Sequence, residues 1–307
     1  MKPILKIATA VAVVVFFAAC GNEGRPIGYE SDTHGRGKAV IYVEESFKPL
    51  FDTSIYTFES QFPHADIEPI YSSEGKIIEA FFQNKTKTIC ISRDFTDAEK
   101  AQLKKQNVEV RSDKVAQDAV TLIVNPENTD TLMTVQRLKR ILTGKDTIWP
   151  GLKTKINVVY DQESSANFNF LREYCGKKNI PVNILAVNGN EEVINYVKEN
   201  KSALGVIGLN WISDQDDFDV LDFVSGITVV SLAKSEKDEF FKPYAAFVYT
   251  KEYPLTREIW LINKGKRSGL NTGFVLFMIG EKGQTIVQKS ALVPATAPIR
   301  LIQMTTE

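Results

Sequence analysis

Histidine is almost missing from this 307-residue chain, which holds only two, His34 and His64. One lies in a polar N-terminal stretch and the other beside Pro63 in a turn, so most zinc sites and Ser-His-Asp designs lack their residues. A Gly-rich nucleotide-binding loop is lacking too. An enzyme, a metal site and a bound cofactor are therefore not expected. Beyond the first twenty residues there is no apolar run long enough for a transmembrane helix; Thr272 to Gly280 comes nearest and falls far short. A strong charge of either sign is also absent, with 37 Lys and Arg against 38 Asp and Glu. A chain so near neutrality gives no reason to expect nucleic acid or an anionic membrane surface as partner. Neither an internal repeat nor a low-complexity tract interrupts it. What the chain does have is 43% hydrophobic residues, over a length sufficient for two lobes or one large domain.

The first twenty residues are ordered as a secretory signal. Lys2 and Lys6 form a short basic region, Ile7 to Phe17 an almost unbroken apolar one, and Phe17-Ala18-Ala19-Cys20 places small residues directly before a cysteine. The apolar run is too short to serve as a mature membrane span. The motif resembles the lipobox of bacterial lipoproteins, whose cysteine takes a diacylglyceryl group before cleavage. The expectation is a signal peptide over 1–19, lipidation with palmitate-type chains at Cys20, and a lipidated tether over 20–36. The polar stretch from Gly21 to Lys38 has the composition of a flexible linker. An ordinary signal peptide with an incidental cysteine is the alternative. Without Lys2 and Lys6 the 37 basic residues fall by two against 38 acids, leaving about −3. The expected location is the cell envelope, lipid-anchored on the periplasmic side. Cys90, inside the apolar run Thr88-Ile89-Cys90-Ile91, and Cys175 are both expected to be buried and unpaired, although a disulfide between them stays open.

From Ala39 onward, short β-branched runs alternate with amphipathic helical stretches. Strands are expected at Ala39 to Val43, Ile67 to Tyr71, Thr88 to Ile91, Val108 to Arg111 and Ala119 to Val124. Helices are expected at Phe51 to Phe62, Lys76 to Gln83 and Ala98 to Gln106. After the turn at Asn125-Pro126-Glu127-Asn128 a second series begins. It has helices at Thr134 to Leu142, Ala166 to Cys175 and Glu191 to Glu199, and strands at Lys155 to Tyr160, Val182 to Val187 and Ala203 to Leu209. Ile227 to Leu232 and Ala245 to Tyr249 read as further strands, and Asn271 to Ser290 as a last helical section. Such alternation implies a mostly parallel α/β sheet in two successive units, with ligands collecting where strand ends meet helix starts.

Four strand-to-helix loops are chemically equipped for that role. They are Glu44-Glu45-Ser46-Phe47, Ser72-Ser73-Glu74-Gly75, Ser92-Arg93-Asp94, and Asp161-Gln162-Glu163-Ser164-Ser165. Each offers hydroxyls beside backbone N–H groups that lack intrahelical partners, a combination that suits anions. For any single loop, plain helix capping by serine is the competing explanation. Arg93 adds a guanidinium able to grip an oxyanion in two-pronged fashion, or else to pair with Asp94 or Glu74 at the surface.

The order and wording of these loops resemble the substrate-binding proteins of phosphate ABC transporters, from roughly Gly37 to Arg300. Ser72-Ser73-Glu74-Gly75 is similar to the family's Ser/Gly-rich second loop, and Thr88 to Arg93 to its strand followed by a Ser-Asp or Ser-Arg pair. Ser164-Ser165 stands where the family has Ser-Gly-Thr. Ala203-Leu204-Gly205-Val206-Ile207-Gly208, Tyr253-Pro254-Leu255-Thr256-Arg257, and Gly283-Gln284 with Leu292-Val293-Pro294 are similar to later segments, read here as structural. The chain departs from the pattern at Tyr160 to Glu163, where the family usually has an arginine, and at Arg93, where many members have a ligand-facing Asp. Glu45 and Glu74 are carboxylates in loops where the family prefers Ser, Thr or Gly, and each is repulsive to a dianion by a few kcal/mol.

The resemblance implies a two-lobed type II periplasmic-binding fold of class α/β, with a ligand cleft between the lobes. Lobe 1 is expected over 37–124 plus 244–307 and lobe 2 over 125–243. It also implies a monomeric solute-binding protein that captures a small oxyanion, phosphate foremost, for an ABC permease. The site residues expected on that basis are Glu45, Ser46, Phe47, Ser72, Ser73, Glu74, Gly75, Ser92, Arg93, Asp94, Ser164 and Ser165. A ligand sensor or partner-binding lipoprotein on the same fold, without a transport role, is the other reading.

Overall fold

The computed structural model describes residues 32–176, 184–213, 220–221, 224–265 and 268–296. The expected signal peptide, Cys20 and the tether up to residue 31 lie outside the described residues, as does the start of the strand expected from Val182. Among the described residues no helix is long and apolar enough to cross a membrane.

Alternation drives the first strand. In β1 (Arg36–Glu44) Gly37, Ala39, Ile41 and Val43 alternate with polar or partly exposed residues, and the buried set faces the core. Two parallel neighbours flank it, β2 (His64–Ser72) and β3 (Thr88–Ile91). The intervening helices are α1 (Lys48–Gln61), with Pro49 in its first turn, and α2 (Glu74–Phe82). Helix α3 (Asp97–Lys105) begins at a capping box in which Thr96 and Glu99 satisfy each other's backbone N–H groups. It leads into β4 (Val110–Val124), a 15-residue strand that belongs to both halves of the molecule.

A late strand, β11 (Thr256–Lys264), inserts between β3 and β4 and runs antiparallel to both. The sheet of the first half thus reads β2-β1-β3-β11-β4. In the second half, Val120 to Val124 of β4 pair antiparallel with β8 (Ala203–Gly208). Parallel to β8 lies β6 (Asn157–Tyr160), and beyond it β7 (Ile184–Ala186). This half carries α4 (Val135–Leu142), α5 (Ala166–Tyr174) and α6 (Asn190–Glu199). Two short parallel strands, β5 (Leu132–Thr134) and β10 (Ser231–Ala233), form a separate pair, and β9 (Thr228–Val229) adds to β4.

The chain then returns to the first half. After α7 (Ala245–Tyr249), Tyr253 is fully buried and its hydroxyl donates to the Val120 carbonyl at 2.9 Å. Helices α8 (Leu270–Ile279) and α9 (Glu281–Lys289) pack on β1 and α1, where Phe58 meets Phe274 edge-on at 5.5 Å. Strand β12 (Val293–Pro294) pairs with Gln117 and Ala116 of β4, and Gln284 donates to the carbonyls of Val115 and Met278.

Several elements differ from the sequence reading. Val108–Arg111 and Ala119–Val124 are one strand from Val110, because the charged stretch between them is paired with β11. Ala245–Tyr249 is a helical turn and not a strand, since five residues of mixed propensity take the form that the return crossing imposes. Ile227–Leu232 divides into β9 and β10, and the last helical section divides at Gly280 into α8 and α9. Within the expected tether, residues 32–36 are docked: the Asp32 carboxylate accepts the Leu270 N–H at 2.7 Å, capping α8. Both described cysteines are free; Cys90 is buried in β3, whereas Cys175 at the end of α5 is only half-buried.

Candidate functional site

The loops at the carboxyl ends of β1 and β2 meet those of β6, β7 and β8, and polar bonds join the two sides at several points. Gly75 N–H donates to the Ser164 carbonyl at 3.2 Å. Leu50 N–H donates to the Asn210 amide oxygen at 2.9 Å. Arg257, on β11, donates to the Asn167 amide oxygen at 2.8 Å.

Two carboxylates make the most direct crossings. Glu44, wholly buried at the end of β1, accepts the N–H of Ala166, the first residue of α5, at 3.1 Å on Oε1. Its Oε2 accepts the Ser46 N–H at 2.9 Å. Glu45 accepts the N–H of Asn190, the first residue of α6, at 3.1 and 3.3 Å on its two oxygens, and also accepts the Asn190 side-chain amide. Each carboxylate of the first half therefore sits on a helix N-terminus of the second, where backbone N–H groups and the helix dipole favour negative charge. The approach of Glu45 depends on Gly189. This residue has φ +108°, and a Cβ there would stand 3.0 Å from Glu45 Oε1.

Asn190 is the centre of a buried network. Its amide oxygen accepts from Gly208 N–H at 2.9 Å and from Asn167 at 3.1 Å, and its amide nitrogen approaches Ser46 Oγ and Asp161. Asp161 accepts from Ser165 Oγ at 2.6 Å and from Asn167 at 3.1 Å. Arg257 is 5% exposed. Its Nε donates to Asp118 at 2.8 Å, and its Nη2 lies 2.7 Å from the same oxygen in ion-pair contact, off the hydrogen-bond direction. The guanidinium lies over the Phe47 ring at 4.9 Å. A Cβ on Gly208 would touch both Arg257 Nη2 and Ser46 Cβ at 2.9 Å, which places the cation beside the Ser46 turn.

Carboxyls outnumber cations in this space. Burial, with repulsion from Asp161 added and Arg257 opposing, pushes Glu44 up to about 8. Burial, then the neighbouring Glu44, pushes Glu45 up to about 7. Asp161 is raised as well, chiefly by burial. Asp118 is raised by burial against the pull of Arg257.

The residues expected from sequence are distributed unevenly around this centre. Ser46, Phe47, Gly75, Ser164 and Ser165 line the contact between the halves, together with Glu45. Ser165 Oγ caps α5 by accepting Phe168 N–H, and Ser164 adopts a left-handed backbone that points its carbonyl at Gly75. Ser72 is the register partner of Glu44. Ser73 Oγ is buried and has no hydrogen-bond partner among the described residues. Ser92, Arg93 and Asp94 are engaged elsewhere. The buried Glu74 carboxylate takes both the N–H and the hydroxyl of Ser92, at 3.1 and 2.6 Å. The Arg93 guanidinium grips Glu99 with two bonds, at 2.8 and 2.9 Å, and touches Glu74 at 3.3 Å. Asp94 pairs with Lys100 and accepts Phe95 N–H.

Asp118, Asn167, Asn190 and Arg257 had no place among the expected site residues. Asn190 carried a weak signal, a Gly-Asn pair opening a helix after a strand. Arg257 lay in a segment read as purely structural.

Two half-sheets sharing β4, with loops converging on a cleft from opposite sides, define the bilobal type II periplasmic-binding fold. The family model described as a PBP superfamily domain matches residues 29–282, and the chain belongs to that family. The phosphate-binding protein PstS of Staphylococcus aureus is 25% identical, over 90% of this chain and 83% of the relative. A Clostridium perfringens structure with bound phosphate, assigned as a phosphate ABC transporter substrate-binding protein, superposes with a TM-score of 0.71 at 22% identity. That match covers 84% of this chain and all of the other. An ABC-type phosphate transport receptor from Vibrio cholerae gives a TM-score of 0.63 at 18% identity, covering 83% and 99%.

Proposed function

We propose that this protein is a lipid-anchored receptor of the cell envelope that captures a small oxyanion, phosphate foremost, and delivers it to an ABC permease. The relatives named above as phosphate-binding support the ligand class, and the signal-like first twenty residues with Cys20 support the location. The observation that supports the reading is a set of backbone donors between the halves that suit an oxyanion. Backbone N–H groups of Ser46, Ala166 and Asn190, two of them at helix N-termini, converge there and already engage carboxylate oxygens. Arg257 supplies the buried positive charge. Closure of the two halves around a ligand would satisfy its oxygens from both sides.

Calorimetric titration of the protein with inorganic phosphate tests the proposal. Saturable one-to-one binding is expected, with organic cations and neutral sugars giving no heat. Absence of phosphate binding at any pH between 5 and 9 would remove phosphate as the ligand.

A further inference from the structure

The Glu44 carboxylate does what a ligand would do. It is fully buried between the halves and takes one N–H from each: Ser46 on the first side and Ala166, at the start of α5, on the second. A free oxyanion with the same hydrogen-bond needs cannot share those donors. We infer that Glu44 is a tethered occupant of the oxyanion seat, competing with any free anion, so that the cleft closes on the chain's own carboxylate when no ligand is bound. This rests on the reading of the cleft as an oxyanion site.

Two further features support competition over a fixed structural bond. A carboxylate presents two oxygens, whereas phosphate presents four, and a buried hydroxyl without a partner lies between two residues that adjoin this corner in the chain. Ser73 Oγ is buried without a partner among the described residues. It stands at the start of α2, next to Ser72, the register partner of Glu44, and α2 touches Ser164 through Gly75. The larger anion has a use for this hydroxyl and Glu44 does not. The surroundings are also unfavourable to a permanent carboxylate. Glu45 and Asp161 face Glu44, Cys90 lies beside it on β3, and Arg257, shared with Asp118, is the buried cation in reach. Lys48 acts on Glu45 and is itself paired with Asp52 at 2.5 Å. Displacing Glu44 by rotation of its own side chain would relieve this crowding without disturbing the backbone of β1.

The test compares the wild-type chain, solubilised in detergent at full length, with Glu44→Ala, Glu44→Gln and the surface control Glu79→Ala. Phosphate affinity is measured by calorimetry at pH 8.5, above the value of about 8 for Glu44, so that its ionised form is the one tested. Exchange of the Ala166 amide is followed without ligand by hydrogen–deuterium exchange. Removal of the competitor should raise phosphate affinity at least tenfold in Glu44→Ala and by a smaller factor in Glu44→Gln, with Glu79→Ala unchanged. The Ala166 amide should be protected in the wild type and exchange at least tenfold faster in Glu44→Ala. Equal or weaker phosphate binding in both Glu44 variants would overturn competition and make Glu44 a bystander or a ligand contact. If no form binds phosphate, the oxyanion reading fails. The exchange experiment then still decides occupancy, since an equally protected Ala166 amide in wild type and variant would overturn that too. Should Glu44→Ala fail to fold, Glu44→Gln carries both comparisons.

Discussion

Glu44, Glu45 and Asp161 crowd three carboxyls into a space where Arg257 is already bound to Asp118. The ordinary value for a glutamate is 4.5, and burial lifts Glu44 to about 8 and Glu45 to about 7. Over this interval the folded chain holds protons that the unfolded chain has released. The stability these protons contribute should therefore be full below the ordinary value of 4.5 and be lost as pH rises through 7 and 8. Denaturant midpoints at pH 5.5, 7.0 and 8.5 should fall in that order, and Glu44→Gln should flatten the slope. A midpoint that climbs with pH, or a slope unaltered in the variant, would count against these shifts. The same residues mark the limit of sequence reading at this scale. Ser92 and Arg93 have the chemistry of anion donors, yet Glu74 and Glu99 satisfy them first. Nothing in the order of residues tells which carboxylate folds back onto which donor. Glu74 and Glu45 were counted among the expected site residues and also noted as charges out of keeping with a phosphate site.

Elements were easier to read than their pairing. The helices and most strands of both series fall within a few residues of expectation, because apolar spacing encodes which face is buried. Strand β11 escaped, since its buried positions include Arg257 and Asn263, and these polar residues mask the alternation. The loop positions around the cleft were legible too. What escaped was the start of α6, where Gly189 lets Glu45 approach the helix N-terminus. An alanine at this position would force a left-handed backbone on a residue with a Cβ and push that Cβ against Glu45 Oε1. Gly189→Ala should destabilise the protein by about 1–3 kcal/mol. Gly265→Ala makes a useful control: Gly265 also has positive φ, but a Cβ there meets nothing within 4 Å. Urea unfolding should show Gly189→Ala to be the costlier of the two. Equal costs would mean that the Glu45 contact contributes nothing.

At the scale of the whole molecule, attachment and folding are separate matters. Among the described residues no helix is long and apolar enough to cross a bilayer, and the anchor proposed for the chain is a lipid on Cys20. Cys20→Ser should leave a folded protein with unchanged thermal melting that moves from the membrane to the soluble fraction. Continued membrane retention through alkaline washing would refute a lipid anchor. The position of β11 bears on the export proposed above. This strand bridges β3 and β4, pairing Trp260 with Ile91 and Thr256 with Ala119, yet it is made long after either partner. Until residue 264 has left the ribosome, the first half has a gap in the middle of its sheet and two unpaired strand edges. Pairing so distant in sequence is slow to form, because the closure of a long loop must come first. If the chain is exported as proposed, late pairing of this kind would keep it from completing its fold early and leave it threadable while synthesis is still under way.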